Sequence, residues 1–256
     1  MMSSTVGIVV PAYRPDIDRL RTYVTELDGT LAPERIVVEL DAPMAGTRDQ
    51  LADLPATVES VPYRRGKGAA VTAGFEALDT DVLAFADADG STPAVEFASV
   101  VTEVESGQAD LAVGSRRHPA AEVASHQTFA RRFLGDGFAW LAGRLLSVSL
   151  FDYQCGAKAI DADGWGRVRS HLYESGFAWD VELIAIAGAL GLRVEEVPIS
   201  WEDQPGTTVS PVGDSVALFK ALLSSRHRAK LLSDDRLHSA IAAHTDDGTA
   251  LVERER

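Results

Sequence analysis

Cysteine and lysine are both scarce in this sequence of 256 residues. The single cysteine, Cys155, excludes an internal disulfide framework and a cysteine-rich metal site, and it suits a reducing compartment. Acidic residues number 38 against 24 basic ones, which gives a formal net charge of −14. Such a balance argues against nucleic-acid binding, which requires a broad basic face. It is typical of proteins from a salt-rich cytoplasm, where ions screen self-repulsion, although solubility alone would also account for it.

Long apolar runs and an N-terminal signal are also missing. A membrane-spanning helix needs about 18 apolar residues in succession. The longest apolar stretch, FAWLAGRLLSVSLF at 138–151, is interrupted by Arg144. The first residues pass directly into a strand-like segment, without the basic and then apolar regions of a secretion signal. We therefore expect a cytoplasmic location, with peripheral attachment to the cytoplasmic face of a membrane as the alternative.

Strand-like and helix-like segments alternate through the first part of the chain. Apolar, β-branched segments predict five strands, at 6–13, 35–40, 57–62, 82–89 and 111–116. Helical spacing and glycine or proline start signals predict helices between them. This order indicates an α/β fold with a mainly parallel central sheet flanked by helices. The chain becomes polar and aperiodic after residue 232, so we expect one domain over 1–232 and a loose, polar tail over 233–256 that need not be ordered.

Two carboxylates, Asp87 and Asp89, stand at the end of the fourth predicted strand. Residues two apart in a strand share a face, so both side chains would point the same way and repel each other unless a cation lies between them. Mg²⁺ or Mn²⁺ binds such oxygens and commonly adds substrate phosphates. The segment DADGSTP is also typical of a solvated turn. The buried strand before it favours the metal site, because ligands bind at the carboxyl ends of such strands.

The segment YRRGKGAA at 63–70 places basic side chains beside two glycines at a helix start. In so acidic a chain, Arg65 and Lys67 together with helix-terminal amides would suit a diphosphate. A solvated turn that opens a helix is one alternative. A dinucleotide-binding fold is another, since an aspartate follows about 20 residues later, but Val71 occupies the position of the third glycine.

Six motifs occur in order over residues 6–220: VVPAY, RGKGAAV, DADGS, GSR, DYQCGAK and FAWDVEL. In this combination the sequence resembles family 2 glycosyltransferases, in particular the branch of dolichyl-phosphate β-glucosyltransferases and dolichyl-phosphate mannose synthases. The resemblance implies a GT-A fold, a nucleotide diphosphosugar donor, and inverting, metal-dependent transfer to a polyprenyl (dolichyl) phosphate. DYQCGAK is nearer to the glucosyl branch, which favours a glucose-like hexose.

The resemblance also implies a nucleotide-sugar half over residues 6–116. The side chains implied to contact the donor are Pro11, Tyr13, Asp41, Arg65, Lys67 and Asp87. Asp87 and Asp89 match the family's DxD pair, so Asp89 would bind the metal directly and Asp87 would contact the metal and the ribose. The second strand departs from the family pattern, because it reads VVELDAP where a double aspartate is usual. Either Glu39 or Asp41 would therefore fill that role.

The acceptor half is implied over residues 117–232. Arg116, at a strand end, and Arg131, at a helix start, would hold an acceptor phosphate bidentately, unless they are ordinary surface arginines. Asp152 and Asp180 are the candidate catalytic carboxylates, although a carboxylate in the first turn of a helix is also favoured by the helix dipole alone. A phosphate acceptor is already ionised, so these carboxylates would orient groups or stabilise a cationic sugar. A hydroxyl acceptor would need one of them as a general base.

Alternatives remain for the acceptor and for catalysis itself. The segment 128–148 carries an apolar stripe beside arginines, as an interface-lying helix would, but a core-facing helix has the same pattern. A soluble glycosyltransferase acting on a saccharide or small hydroxyl acceptor is the second hypothesis, and a non-catalytic nucleotide-sugar binding module is the third. The expected partners are a nucleotide diphosphosugar, a polyprenyl phosphate, and a membrane surface or membrane protein.

Overall fold

A seven-stranded sheet forms the centre of the protein, with strand order β3-β2-β1-β4-β6-β5-β7. The structure is a computed structural model that describes residues 4–121, 129–200, 211–233 and 248–254, without the side chains of 129–136 and 211–216. The strands are β1 Val6–Tyr13, β2 Arg35–Asp41, β3 Thr57–Val61, β4 Val82–Ala86, β5 Leu111–Ser115, β6 Ala157–Asp161 and β7 Val194–Pro198. Strand β6 runs antiparallel to β4 and β5, whereas the other described pairings are parallel.

Helices cover both faces of this sheet. They are α1 Ile17–Leu31, α2 Thr47–Gln50, α3 Lys67–Phe75, α4 Ala94–Glu105, α5 Phe129–Leu145, α6 Ala162–Val168, α7 Trp179–Ala189 and α8 Pro211–Leu232, with 3₁₀ turns at Arg169–His171 and Leu251–Glu253. The predicted α/β fold with a mainly parallel sheet is therefore confirmed. The sequence pattern did not predict β6, β7 or α8.

The alternation of side chains along β1 divides the core into two layers. Ile8 and Val10 belong to the layer with α1 and α4, whereas Val9 belongs to the layer with α3 and α7. Helix α1 begins after Asp16, whose side chain accepts a hydrogen bond from the backbone amide of Arg19 at 3.1 Å. Helix α7 is buried on all sides over most of its length, because the second layer surrounds it.

Strand β4 ends three residues earlier than the sequence predicts. It ends at Ala86, and Asp87–Asp89 lie in a turn. The alternation of strand side chains therefore does not orient Asp87 and Asp89, and that part of the prediction is wrong. The physical reason is local, because Asp89 accepts a hydrogen bond from the amide of Ser91 at 3.0 Å and Gly90 adopts a left-handed conformation with φ of 65°.

Helix α5 faces the core with most of its described apolar side chains. Ala142 is buried, and Phe138 packs edge-on against Tyr153 with ring centroids 6.4 Å apart. Trp140 differs from them, because 62% of it is exposed. The stripe residues before 137, with Arg131, have side chains outside the described part of the structure. Within the described residues, no helix combines the length and apolar character needed to cross a bilayer.

Residues 248–254 pack against the domain, a contact that the sequence analysis did not indicate. Ala250 and Leu251 are buried, and the amide of Leu251 donates a hydrogen bond to the carbonyl of Leu172 at 2.8 Å. Arg254 donates to the carbonyl of Tyr173 at 2.9 Å. Residues 234–247 lie outside the described part of the chain, so the proposed division into a domain and a tail stays a prediction.

Candidate active site

The predicted site residues whose side chains the structure describes lie at one edge of the sheet, where β1, β2 and β4 end and β6 begins. Because β6 is antiparallel to β4, its first residue pairs with Ala86, the last residue of β4. Asp87 and Gly156 are thereby neighbours, and the amide of Asp87 donates to the Gly156 carbonyl at 2.9 Å. A Cβ atom added to Gly156 would overlap the Asp87 carboxylate. Only glycine leaves room for Asp87 in this position.

Two lysines contact the carboxylate of Asp180, and one of them also contacts Asp87. Lys67 begins α3, and its Nζ lies 2.9 Å from Asp87 Oδ1 and 3.0 Å from Asp180 Oδ2. Lys158, on β6, has its Nζ 2.7 Å from Asp180 Oδ1 and 2.6 Å from the Cys155 carbonyl. Both ammonium groups also lie over the ring of Phe85 in β4, at 4.9 and 5.7 Å from its centroid. The sequence predicted Asp180 and Lys67 as site residues but not their contact.

Asp180 and Lys67 are both charged at neutral pH. Burial alone would raise the pKa of Asp180, but Lys158 and Lys67 outweigh it and hold that pKa below its ordinary value. Burial likewise opposes the charge on Lys67, but Asp180 and Asp87 raise the pKa of its ammonium group above the ordinary value. Asp180 is therefore a carboxylate whose two oxygens both accept hydrogen bonds from lysines. Such a group is a poor proton acceptor.

Arg65 lies against the two acidic residues of β2. Its guanidinium contacts Asp41 Oδ1 and Glu39 Oε2, each at 2.8 Å. Asp41 Oδ2 also accepts hydrogen bonds from the amides of Arg65 and Gly66, at 2.7 and 2.9 Å. Asp41 and Glu39 thus both hold the loop before α3. The sequence left open which of them acts here, and in the structure both contact Arg65.

A second loop, residues 172–176, packs closely against Gly66, which precedes α3, and Gly68, which lies in the first turn of α3. A Cβ atom on Gly66, which has φ of 100°, would overlap the Ser175 carbonyl, and one on Gly68 would lie 2.5 Å from the Glu174 carbonyl. Glu182, buried in α7, accepts hydrogen bonds from the amides of Tyr173 and Glu174 at 2.8 and 2.7 Å. Sequence reasoning gave Glu182 no such role. Its position in the first helical turn beside Asp180 was the one available signal.

Tyr13 and Pro11 lie at the neighbouring end of β1. Pro11 pairs with Glu39, and Tyr13 pairs with Asp41. The ring of Tyr13 is partly exposed, and the guanidinium groups of Arg14 and Arg64 lie 5.3 and 4.3 Å from its centroid. An aromatic face with two nearby cations is chemically suited to a nucleoside diphosphate.

A separate bidentate ion pair lies at the end of β5. Arg116 contacts Asp152 through its Nε at 2.7 Å and through a terminal nitrogen at 3.1 Å. Burial opposes the charge on Asp152, but Arg116 outweighs it and lowers the pKa of Asp152. Asp87 also contributes to the raised pKa of Arg116, so this pair and the Asp87 turn act on each other electrostatically. Arg131 lies in α5, with a side chain outside the described set.

The carboxylates of the Asp87–Asp89 turn need further ligands in order to bind a divalent cation. Among the described residues, no group of three or more His, Cys, Asp or Glu side chains is arranged to bind a metal. Mg²⁺ and Mn²⁺, however, are commonly held by one or two carboxylates, with water and substrate phosphates completing the shell. The Asp87 side chain is 39% exposed, so it is accessible to such a complex. The donor set therefore fits a cation that arrives with a diphosphate.

The amino-acid sequence of this chain is similar to those of known proteins. The sequence model of the family described as Glycosyl transferase family 2 matches residues 7–138. A dolichyl-phosphate beta-glucosyltransferase from Mus musculus is 29% identical over 87% of this chain and 75% of its own length. Glycosyltransferase AglD from Haloferax volcanii is 28% identical over 85% of this chain, which spans 36% of AglD.

The architecture also matches a solved structure. Glucosyl-3-phosphoglycerate synthase from Mycobacterium tuberculosis, crystallised with Mn²⁺, UDP and glucosyl-3-phosphoglycerate, superposes with a TM-score of 0.67. The identity is 16%, and the alignment covers 87% of this chain and 80% of that one. This similarity establishes the GT-A fold.

Proposed function

The chain belongs to glycosyl transferase family 2, and from that membership we propose that it moves a hexose from a nucleotide diphosphosugar to a polyprenyl phosphate. Glucose is the preferred hexose, because relatives named dolichyl-phosphate beta-glucosyltransferase align with most of this chain. The transfer proceeds with inversion at the sugar and requires Mg²⁺ or Mn²⁺. The ion pairs of the site support a phosphate rather than a hydroxyl group as the acceptor.

Both candidate general bases, Asp180 and Asp152, already form ion pairs with basic side chains. Asp180 bonds to Lys67 and Lys158, and Asp152 bonds to Arg116 through both oxygens. The pKa of each carboxyl group is lowered, so neither is suited to take a proton from a hydroxyl group. A phosphate monoester is ionised near neutral pH and needs no base. This favours a phosphate acceptor over the hydroxyl of a saccharide.

The proposed step is a single displacement at the anomeric carbon of the donor sugar. A phosphate oxygen of the acceptor forms the new bond to that carbon while the bond to the diphosphate breaks, and its electron pair leaves with the nucleoside diphosphate. Lys67 lies where its positive charge would stabilise the leaving group, and Asp180 would stabilise the cationic character of the sugar. Asp87 and Asp89 would hold the metal ion, which supplies further positive charge against the diphosphate.

A groove beside Arg116 supports a lipid as the carrier of the acceptor phosphate. Its volume is about 340 Å³, and its lining includes Trp140, Phe151, Leu150, Arg117 and Arg144. Trp140 is 62% exposed and Phe151 is 49% exposed. Phe151 directly precedes Asp152, and Arg117 directly follows Arg116, so the groove lies next to the Arg116–Asp152 ion pair along the chain. Aromatic and basic side chains together suit the first isoprene units of a lipid phosphate and the headgroup region of a membrane.

The function is tested by incubating the protein with radiolabelled UDP-glucose or GDP-mannose, a short-chain polyprenyl phosphate, and Mg²⁺ or Mn²⁺. We expect a labelled lipid product that EDTA abolishes and that is greatest with the glucosyl donor. Donor hydrolysis without transfer to any acceptor would contradict the proposal. Transfer to free saccharides instead of the lipid would favour the soluble glycosyltransferase.

Peripheral membrane attachment at the cytoplasmic face is part of the proposal. An acidic chain is repelled by anionic lipid at low ionic strength, whereas apolar contacts persist in salt. Cosedimentation with vesicles should therefore increase from low to high KCl, and Trp140→Ser should weaken it. A folded wild-type protein that ignores vesicles at every KCl concentration would contradict membrane attachment.

A further inference from the structure

Loop 172–176 fixes the start of α3, the helix that carries Lys67. The amide of Ala69, in the first turn of α3, donates a hydrogen bond to the Ser175 carbonyl at 3.2 Å. Amides in the first turn have no partner within their own helix, so the loop supplies one from outside. Loop carbonyls also lie too close to the two glycines that flank Lys67 for a Cβ atom at either position. The loop therefore determines where the backbone of Lys67 lies.

Glu182, in α7, holds this loop by its backbone. One oxygen of its carboxylate accepts hydrogen bonds from the amides of Tyr173 and Glu174, at 2.8 and 2.7 Å. The other oxygen lies 2.5 Å from a terminal nitrogen of Arg228 in α8, and the side chain of Glu182 is fully buried. The carbonyl of Glu174 is the one that faces Gly68. Glu182 thus binds the residue of the loop that contacts α3.

Helix α7 acts on Lys67 in two ways. Asp180 contacts the ammonium group of Lys67 at 3.0 Å, whereas Glu182, two residues further along, fixes the loop against which the backbone of Lys67 packs. Residues 248–254 also contact the loop, at its first two residues, Leu172 and Tyr173. The proposed mechanism gives a role to Asp180 and none to Glu182.

We propose that Glu182 is a positioning residue for the sugar donor, which holds Lys67 in place through loop 172–176. The proposal rests on the proposed function, in which Lys67 stabilises the leaving diphosphate. A displacement of about 1 Å at such a group can lower a rate by about 100-fold. A buried carboxylate that only stabilised the fold would affect the thermal midpoint of unfolding and not the affinity for the diphosphate.

Two double variants separate these roles, because they differ in one side chain. Both contain Arg228→Met, so that no uncompensated guanidinium group is left in the interior. Glu182→Gln keeps an oxygen that can accept from both loop amides, whereas Glu182→Met removes this oxygen at similar size. UDP binding in the presence of Mn²⁺ is measured by isothermal titration calorimetry, well below the lower thermal midpoint. We expect the double variant with Glu182→Met to bind UDP at least about tenfold more weakly than the one with Glu182→Gln.

The kinetic parameters of the two double variants should follow the same division. The kcat/KM for the donor should be at least about tenfold lower with Glu182→Met than with Glu182→Gln. The KM for a short-chain polyprenyl phosphate should differ by less than about twofold, because the loop contacts the donor side of the site.

Glu76→Met is the matched control, because Glu76 follows the opposite end of α3. There it forms an ion pair with Arg169 at 2.7 Å and accepts a hydrogen bond from the ring nitrogen of Trp165 at 2.8 Å. This variant should unfold at a lower temperature and bind UDP as wild type does.

Three results would contradict the assignment of Glu182. Equal UDP affinity in the two double variants would overturn it, and a lower midpoint with Glu182→Met would then make the carboxylate purely structural. A similar loss of UDP affinity in Glu76→Met would also overturn it, since any loss of stability would then have the same effect. Failure of the wild-type protein to bind UDP in the presence of Mn²⁺ would instead overturn the proposed glucosyl donor, and this assignment with it. The failures of the two proposals are therefore distinguishable.

Discussion

Replacing Asp180 by asparagine should destabilise the protein far more than the loss of one hydrogen bond. Lys67 would keep its contact with Asp87 at 2.9 Å. Lys158 is 1% exposed and would keep only neutral oxygen partners, the Cys155 carbonyl at 2.6 Å and the new amide. Removing one partner of a buried ion pair leaves an uncompensated charge and costs about 3–5 kcal/mol. We expect Asp180→Asn to lose about that much free energy of unfolding.

Urea unfolding at pH 7, followed by circular dichroism, measures this loss. Asp163→Asn is the matched control, because Asp163 is exposed and its replacement should change the free energy of unfolding by less than about 0.5 kcal/mol. The double variant Asp180→Asn, Lys158→Met should recover part of the loss, since it removes the uncompensated ammonium group. A single variant within about 1 kcal/mol of wild type, or a double variant no more stable than the single one, would show that Asp180 does not offset the buried charge of Lys158.

The stability difference between wild type and Asp180→Asn should also depend on pH. The pKa of Asp180 in the folded protein lies below its ordinary value of 3.8, so its stabilising effect is complete above that value. The stability difference between wild type and Asp180→Asn should be constant from about pH 5 to pH 7. It should shrink as the pH falls below about 4 towards the folded-state pKa, because the carboxylate becomes protonated. A difference that shrinks already between pH 7 and pH 5 would contradict a lowered pKa.

Four further substitutions, with one control variant, test the site. Asp89→Asn should abolish sugar transfer with an unchanged circular dichroism spectrum, and wild-type activity that survives EDTA would contradict the metal assignment. Gly156→Ala should cost about 1–3 kcal/mol of stability and lower the affinity for Mn²⁺ by crowding the adjacent carboxylate, whereas Gly166→Ala, with open space around it, should do neither. Arg116→Lys and Arg131→Ala should raise the KM for the acceptor by about tenfold or more, since charge-assisted hydrogen bonds are worth about 1.5–3 kcal/mol. A larger effect of either on the KM for the donor would show that the division into donor and acceptor halves is wrong.

The periodicity of the sequence was sufficient to predict the first five strands and the helices between them. Strands β1 and β4 are apolar runs bounded by turn residues, and α1 has a regular apolar stripe. Strand β6 was missed because Lys158 interrupts its apolar pattern, and this lysine is buried only by virtue of its partner Asp180. Strand β7 was missed because its sequence, VEEVP, contains two glutamates.

The candidate site residues could be grouped from the sequence, but the pairings of their side chains could not. Asp87, Lys67 and Asp180 were expected at the carboxyl ends of strands or the starts of helices, and they do meet there. Which cation faces which carboxylate depends on contacts between residues distant in the chain. Arg65 was expected to face a diphosphate, yet the structure places it against Glu39. The order of strands in the sheet determines that contact, and no local pattern encodes it.

We propose that the acceptor is an ionised phosphate and that the site provides no general base. This proposal is tested most directly by comparing a short-chain polyprenyl phosphate with the polyprenol of the same chain length, under identical donor and Mn²⁺ concentrations. The two acceptors differ only in the phosphate, so lipid binding is common to both. We expect transfer to the phosphate and none to the alcohol at any pH from 6 to 9. Transfer to the alcohol at a comparable rate, rising with pH as a base is deprotonated, would contradict it.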